Sequence, residues 1–195
     1  MRVLGQAVLE AIGEHAPDLV ALPVTMPPYL AACEGVVKAI RAAYPGVKIA
    51  VGGYHATLMS REIAASPDAR EMDFIIRGEG EETFRRLVNA LAGTDSLEAV
   101  PSLSYKRGNE WIHNETGELC DLSRLKLPVR NGRRLTGGYH FMYSGIEVME
   151  TSRGATPSCN FCSINHMYGR SYRRYPAERT LANLDDFTFN RQTTL

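Results

Sequence analysis

The sequence predicts an α/β protein whose first part is a doubly wound, parallel sheet covered by helices. Residues 18–24, 47–51 and 73–76 are short, mostly apolar runs of the kind found in buried parallel strands. Stretches with apolar residues at helical spacing separate these runs. Such an alternation of strands and helices is typical of a parallel sheet with helices on both faces.

The helices are predicted from their apolar spacing and from the residues at their ends. A first helix carries apolar residues from Val3 to Ile12 and closes at Pro17. A second helix begins with Pro27 and Pro28, which suit a first turn because the N–H that proline lacks would be unpaired there. Two more helices follow the second and third strands. Because a doubly wound domain normally opens with a strand, we expect the first strand of the sheet to be missing from this sequence.

The second part of the chain has a different pattern. Residues 103–113 predict a β-hairpin, and residues 114–144 lack periodicity and are typical of an extended linker. A fourth strand is predicted at residues 145–150, before a loop with two cysteines and a last helix that starts at Pro176. The predicted organisation is an α/β domain at residues 1–113, a linker at 114–144 and the opening of a second domain at 145–195.

Composition limits the classes of partner. Over 195 residues, 22 basic side chains balance 22 acidic ones, and the formal net charge is zero. A balanced charge gives no support for binding to nucleic acid or to a charged membrane surface. No apolar run approaches the ~20 residues of a membrane span, and the first residues lack the pattern of a signal peptide. We expect a cytoplasmic protein without a nucleic-acid partner.

Three predicted turns bring candidate ligand contacts to one edge of the sheet. Thr25, the pair Gly52 and Gly53, and the pair Gly78 and Glu79 each follow a predicted strand. Ligands of open parallel sheets bind at the carboxyl ends of the strands. Glycines there let the backbone approach a ligand closely. A tight turn also explains the first glycine pair, and a helix start with acidic residues also explains the second turn.

Only two of the four cysteines are close in sequence. Cys159 and Cys162 have the C-x2-C spacing with which two thiolates reach one metal ion. The spacing is equally compatible with an iron–sulfur site, a zinc site that adds His166, a redox dithiol, or two unrelated thiols. Cys33 lies on the apolar face of the second predicted helix and is expected in the core.

Residues 151–164 resemble the signature loop of radical SAM enzymes. That signature has three cysteines at C-x3-C-x2-C after the first strand of a barrel, with an aromatic residue before the last. Cys159, Phe161 and Cys162 match it, whereas Ala155 stands where the first cysteine belongs. The resemblance implies that Cys159 and Cys162 ligate a [4Fe–4S] cluster and that Phe161 lies beside the adenine of S-adenosylmethionine. With Ala155, one iron of that cluster lacks its protein ligand.

Residues 18–22, 51–57 and 73–81 resemble the cobalamin-binding domain that precedes many radical SAM barrels. The resemblance implies a Rossmann-like, B12-binding-type domain followed by a partial (β/α) radical SAM barrel. It makes five residues candidate contacts to cobalamin: Thr25, Gly52, Gly53, Gly78 and Glu79. His55 is not expected to bind cobalt, because the D-x-H-x-x-G motif of the cobalt-ligand histidine is absent.

The activity that the resemblance implies is reductive cleavage of S-adenosylmethionine to a 5′-deoxyadenosyl radical, with methyl transfer in many cobalamin-linked members. A flavodoxin or ferredoxin is the electron donor expected for the family, and the small-molecule substrate is not specified by the sequence. We expect this chain to be inactive by itself, because one cluster ligand and most of the barrel are missing. The alternatives are a non-catalytic corrinoid- or nucleotide-binding module and a zinc-binding protein.

Overall fold

The computed structural model describes residues 2–129, 140–141, 144–145, 148–156, 159 and 161–189. The chain divides into two compact units, Met1–Leu119 and Cys120–Leu195. Most of the expected linker between residues 130 and 143 lies outside the described residues. The domain boundaries expected at residues 113 and 144 stay predictions.

The first unit is built on a five-stranded sheet. Its strands are β1 (Leu19–Pro23), β2 (Lys48–Gly52), β3 (Phe74–Ile76), β4 (Leu103–Arg107) and β5 (Glu110–His113), and they lie side by side in that order. Strands β1 to β3 are parallel, and β4 and β5 form the predicted antiparallel hairpin. The parallel register sets Pro23 beside Gly52, so that the carboxyl ends of β1 and β2 are level.

Helices cover both faces of this sheet. They are α1 (Arg2–His15), α2 (Pro27–Ala43), α3 (Tyr54–Leu58), α4 (Ser60–Ala65) and α5 (Gly80–Leu91). On one face, buried residues of α1 to α4 pack against Ile49, Val51 and Ile75 of the sheet. On the other face, Leu87 of α5 packs against Ala50 and Phe74. Alternate strand residues therefore enter two separate cores, and the predicted doubly wound α/β fold is confirmed.

The amino edge of the parallel strands is held by one arginine. Arg41 of α2 donates to the carboxylate of Asp73 at 2.7 Å and to the backbone carbonyls of Val47 and Glu71 at 2.9 Å. The same carboxylate accepts the backbone N–H of Ile49 at 2.9 Å. These charge-assisted bonds fix the starts of β2 and β3.

The second unit contains short elements. They are β6 (His140–Phe141), β7 (Ser144–Gly145), β8 (Ser152–Gly154), α6 (Ile164–Tyr168), β9 (Tyr172–Arg174) and α7 (Ala177–Phe189). Strands β8 and β9 are antiparallel neighbours, with Arg153 opposite Arg173. The helix predicted to start at Pro176 is confirmed as α7.

The strand expected at residues 145–150 is displaced along the chain. Residues 146 and 147 lie outside the described residues, and residues 148–150 are not in a strand. Val148, whose apolar side chain favoured the strand prediction, is 79% exposed. The strand lies instead at Ser152–Gly154, where β9 supplies its backbone partner. In the described part of the chain, no helix is both long and apolar enough to span a membrane.

Candidate functional site

The carboxyl ends of β1 and β2 are joined through the backbone of Val24. Its N–H donates to the Gly52 carbonyl at 2.6 Å. Its carbonyl accepts the N–H groups of His55 and Ala56 at 3.0 and 3.3 Å. The buried Val24 side chain anchors this junction in the core. The glycine turn after β2 is therefore fixed to the residue that follows β1.

Gly53 is required at this turn by the backbone itself. Its φ is 98°, and a Cβ placed there would lie 3.1 Å from the Val24 carbonyl oxygen. An L-residue would meet both torsional strain and a close contact. Gly52 differs, because its Cβ would make only an ordinary contact of 3.5 Å with Ile76. The tight-turn interpretation thus accounts for Gly53, and neither glycine's proposed contact with a ligand is tested by this geometry.

Thr57 links the turn after β2 to the turn after β3. Its hydroxyl donates to the Gly53 carbonyl at 2.8 Å and accepts the Gly78 N–H at 3.0 Å. Gly78 has a φ of 69°, and a Cβ there would meet no described heavy atom within 4 Å. Thr57 is not among the site residues predicted from the sequence. The sequence indicates Thr57 only as a hydroxyl residue four positions after Gly53. Many surface helices have a hydroxyl residue at such a position.

The turn after β3 leads directly into α5. Glu79 precedes Gly80, the first residue of the helix, and Glu81 and Glu82 lie in the first turn. Acidic residues at this position interact favourably with the helix dipole. Gly78 and Glu79 are both half-buried at the carboxyl edge. The helix-start interpretation and the ligand interpretation are therefore both compatible with the geometry.

An exposed apolar surface lies in the segments that follow β1 and β2. Thr25 is exposed at the end of β1, as predicted, and is followed by exposed large apolar residues. Met26 and Tyr29 follow β1, and Leu58 and Met59 lie at the end of α3. We call these four exposed residues the apolar collar. Exposed apolar groups beside a glycine-lined edge are typical of a surface that receives a ligand. From sequence alone, such residues resemble core residues of α2 and α3.

The cysteine loop follows β8 in the second unit. Gly154 ends that strand with a φ of 82°, and a Cβ there would lie 1.9 Å from the Ser171 carbonyl oxygen. Further along, the Cys162 N–H donates to the Cys159 carbonyl at 3.3 Å, so the two cysteines belong to one tight turn. Cys159 is exposed, Cys162 is half-buried, and Phe161 between them is 93% exposed.

Two thiols are the metal-binding groups that this turn offers. Among the described residues, no three His, Cys, Asp or Glu side chains lie close enough together to hold a metal ion. His166 therefore does not complete a three-ligand zinc site with Cys159 and Cys162. Ala155, half-buried next to Gly154, contributes no ligand. The assignment of Cys159 and Cys162 to an iron–sulfur cluster stays a prediction.

Cys33 has the structural role expected from its sequence position. It is buried in the core between α2 and the sheet, among Val37 and Ile63. Burial, with a smaller contribution from the nearby charge of Glu34, raises the pKa of the Cys33 thiol to about 11. The thiolate is the reactive form of cysteine, so this residue is a poor nucleophile and a poor metal ligand.

Comparison with known proteins finds a family model that matches much of the first unit. Residues 1–88 match the family model of the B12 binding domain. The match covers β1 to β3 and most of α5, and so contains the whole glycine-lined edge.

Relatives of this chain include methyltransferases. An uncharacterized methyltransferase of Pyrococcus horikoshii is 28% identical over 183 residues, which are 91% of this chain and 38% of that protein. The cobalamin-dependent radical SAM methyltransferase TokK of Streptomyces tokunonensis is 29% identical over 161 residues, 78% of this chain and 23% of that protein. The resemblance to cobalamin-linked radical SAM proteins is therefore confirmed at the level of homology.

A solved structure shares the fold of this chain. The radical enzyme OxsB, solved with aqua-cobalamin and S-adenosylmethionine, superposes with a TM-score of 0.75 and 24% identity. The similarity covers 97% of this chain but 26% of OxsB. This chain thus spans between about a quarter and two-fifths of the length of the relatives named here.

Proposed function

We propose that this chain binds cobalamin at the carboxyl edge of β1 to β3. The observation that carries the proposal is the junction of three strand ends: Val24, the Gly53 turn and the Gly78 turn are joined by backbone bonds and by the Thr57 hydroxyl. A fixed, glycine-lined edge lets a ligand approach the backbone without side chains in between. The match of residues 1–88 to the family model of the B12 binding domain supports this choice of ligand.

The local surface fits a large, partly apolar ring system. The apolar collar supplies exposed Met, Tyr and Leu side chains beside the edge. The open side of Gly78 leaves space that any larger residue would fill. Thr25 adds an exposed hydroxyl at the end of β1. In this arrangement Gly52, Gly53, Gly78 and Glu79 would contact the cofactor mainly through their backbone groups.

Cobalamin, when bound, supplies methyl-transfer chemistry at cobalt, and the protein supplies position and environment. Collar side chains exclude water from one side of the ring and favour an apolar ligand surface. The link through Thr57 holds the two glycine turns at a fixed separation. None of the described histidines is assigned to cobalt, in line with the missing sequence motif for His55.

For the cysteine loop we propose the iron–sulfur role of the radical SAM family, with an incomplete ligand set in this chain. Cys159 and Cys162 provide two thiolates, and Ala155 provides none. These residues do not fit the three-thiolate site of a [4Fe–4S] cluster. We propose reductive cleavage of S-adenosylmethionine, with a flavodoxin or ferredoxin as electron donor, for complete members of the family. We do not propose it for this chain alone.

Cobalamin binding is tested by titrating the purified chain with hydroxocobalamin and recording the visible absorption of the corrinoid together with the bound fraction after gel filtration. The key variant is Gly78→Leu, and its matched control is Gly93→Leu. Both glycines have positive φ, 69° and 80°, and both have open space at the Cβ position. The two variants therefore carry the same torsional strain, about 1–2 kcal/mol.

We expect stoichiometric binding by the wild-type chain and by Gly93→Leu, and a loss of at least tenfold in affinity for Gly78→Leu. Equal binding by both variants would show that the corrinoid lies elsewhere, and absence of binding by the wild type would refute the proposal.

The cluster proposal has a separate test. After anaerobic reconstitution with iron and sulfide, we expect substoichiometric iron in the wild-type chain and a higher iron content in Ala155→Cys. The matched control is Ala155→Ser, which adds a side chain close to cysteine in size but no thiol. Cysteine at position 154 is not an adequate control, because Gly154 is needed for its backbone conformation. Equal iron in all three proteins would contradict the missing-ligand interpretation.

A further inference from the structure

A second polar cluster lies on the hairpin side of the sheet. Ser104 of β4 and His113 of β5 are cross-strand partners, and the Ser104 hydroxyl lies 2.8 Å from His113 Nδ1. Ser104 is fully buried and His113 is half-buried. Both residues lie on the sheet face covered by α1 to α4, because they alternate with Leu103 and Tyr105 of the opposite core.

Arg77 extends this cluster from the end of β3. Its guanidinium donates to the carbonyls of Leu103, at 3.4 Å, and Asn114. The Arg77 Nε is buried, and within the described residues it has no hydrogen-bond partner. A buried guanidinium N–H without an acceptor is costly unless a ligand completes it. The hydrogen bonds aim the Arg77 head group at the end of β5, where His113 lies.

Arg61 of α4 is near enough for its positive charge to act on both Arg77 and His113. Its side chain is exposed, and it makes no ion pair among the residues that the structure describes. The pKa of His113 is lowered by burial and by the charges of Arg61 and Arg77. The pKa of Arg77 is lowered by burial and by Arg61. The charges that contribute to the two shifts are positive, so the surroundings of Arg77 and His113 are electropositive.

We propose that Arg61, Arg77 and His113 form a binding site for a phosphate-class oxyanion. A tetrahedral anion has several oxygens and can accept from two arginines and an imidazole that approach from different elements. A Ser104 hydroxyl that donates to Nδ1 makes Nε2 the N–H donor of the neutral ring. The site lies beside the cobalamin-binding edge but uses none of the residues assigned to it.

The direct test is a titration of the full chain with inorganic phosphate at constant ionic strength, read by the imidazole NMR signals of His113. The signals of His15, at the end of α1, serve as the internal reference. We expect a saturable shift at His113 and a rise in its pKa as the anion binds, with little change at His15. A linear, non-saturating response, or equal responses of the two histidines, would overturn the proposal.

Two variants of equal net charge distinguish a specific anion-binding site from general electrostatic attraction. Arg61→Gln should weaken phosphate binding at least about fivefold, because it removes one charged donor. Arg70→Gln is the control, since Arg70 is also exposed but lies before β3, at the amino edge. Equal affinities of the two variants would also overturn the proposal. Both positions are exposed, so neither variant depends on a disturbed core.

The source of the anion is distinguished by a second titration. If the phosphodiester of cobalamin occupies the site, hydroxocobalamin displaces phosphate from His113, and cobinamide, which lacks that phosphate, does not. If a separate phosphorylated ligand uses the site, phosphate still shifts the His113 signals in the cobalamin-loaded chain. Phosphate binding is measured without cobalamin, so failure of the cobalamin proposal leaves this test intact.

Discussion

Thr57 offers the sharpest test of how the carboxyl edge is held together. Replacement by valine keeps the shape of the side chain and removes the hydroxyl that joins the Gly53 carbonyl to the Gly78 N–H. The Gly53 carbonyl keeps one partner, because it also accepts the Thr57 N–H at 2.9 Å. The Gly78 N–H loses the acceptor described for it, and a half-buried unpaired N–H costs about 1–3 kcal/mol.

The expected loss in the free energy of unfolding for Thr57→Val is therefore about 1–3 kcal/mol, which corresponds to a urea midpoint lower by about 0.5–1.5 M. We also expect weaker cobalamin binding, because the Gly78 turn is no longer tied to the Gly53 turn. Urea unfolding followed by circular dichroism gives the first quantity, and the hydroxocobalamin titration gives the second.

Thr83→Val is the matched control for this experiment. The Thr83 hydroxyl is buried and donates to one carbonyl, that of Pro101, at 3.0 Å, and this bond involves neither glycine turn. This variant should lose about 1 kcal/mol and bind cobalamin like the wild type. Thr57→Ser should retain both properties. A Thr57→Val protein with the wild-type midpoint and affinity would refute the view that this hydroxyl joins the turns.

Three further predictions concern other parts of the chain. Gly154→Ala should abolish the β8–β9 pairing, seen as lost amide protection in hydrogen exchange, because its Cβ would overlap the facing backbone at 1.9 Å; Gly169→Ala, with positive φ but open space, should keep the pairing. Iodoacetamide at pH 8 should label Cys159 readily and Cys33 at least about 100-fold more slowly, since the pKa of Cys33 is raised to about 11 and its thiol is buried, and denaturation should remove the difference. The folded-state pKa of His113 lies below its ordinary 6.5, so the folded state favours the neutral ring. The free energy of unfolding should therefore stay constant above about pH 6.5 and fall as the pH drops through the folded pKa. His113→Asn should show a smaller loss of stability at acid pH, and identical pH profiles of the two proteins would contradict this.

Much of the first unit could be predicted because its signals are local. Continuous apolar runs such as residues 47–51 occur in buried parallel strands, and glycine pairs mark the turns that follow them. Gly53 is a clear case, since its positive φ and its approach to Val24 leave glycine as the one residue that fits without strain. The positions of the turns could therefore be predicted from the sequence, and so could the placement of Cys33 in a core.

The parts that escaped prediction depend on contacts between distant residues. The Ser104–His113 pair exists only in the register that the hairpin adopts, and the nearby Arg77 is bonded to carbonyls 26 and 37 residues away. The strand at residues 145–150 was expected from apolar side chains such as Val148. The strand pairing depends instead on Gly154, where the two backbones approach closely. Side-chain hydropathy carries no information about such an approach.

The junction at Val24 has a mechanical consequence for any ligand of the carboxyl edge. One carbonyl accepts from two amides, so the segment after β1 cannot shift without breaking the turn after β2. A binding site held in this way cannot change its shape around a ligand, and discrimination among corrinoids must depend on the shape of the ligand itself. Occupancy would then slow amide exchange in all three turns together, as one cooperative block.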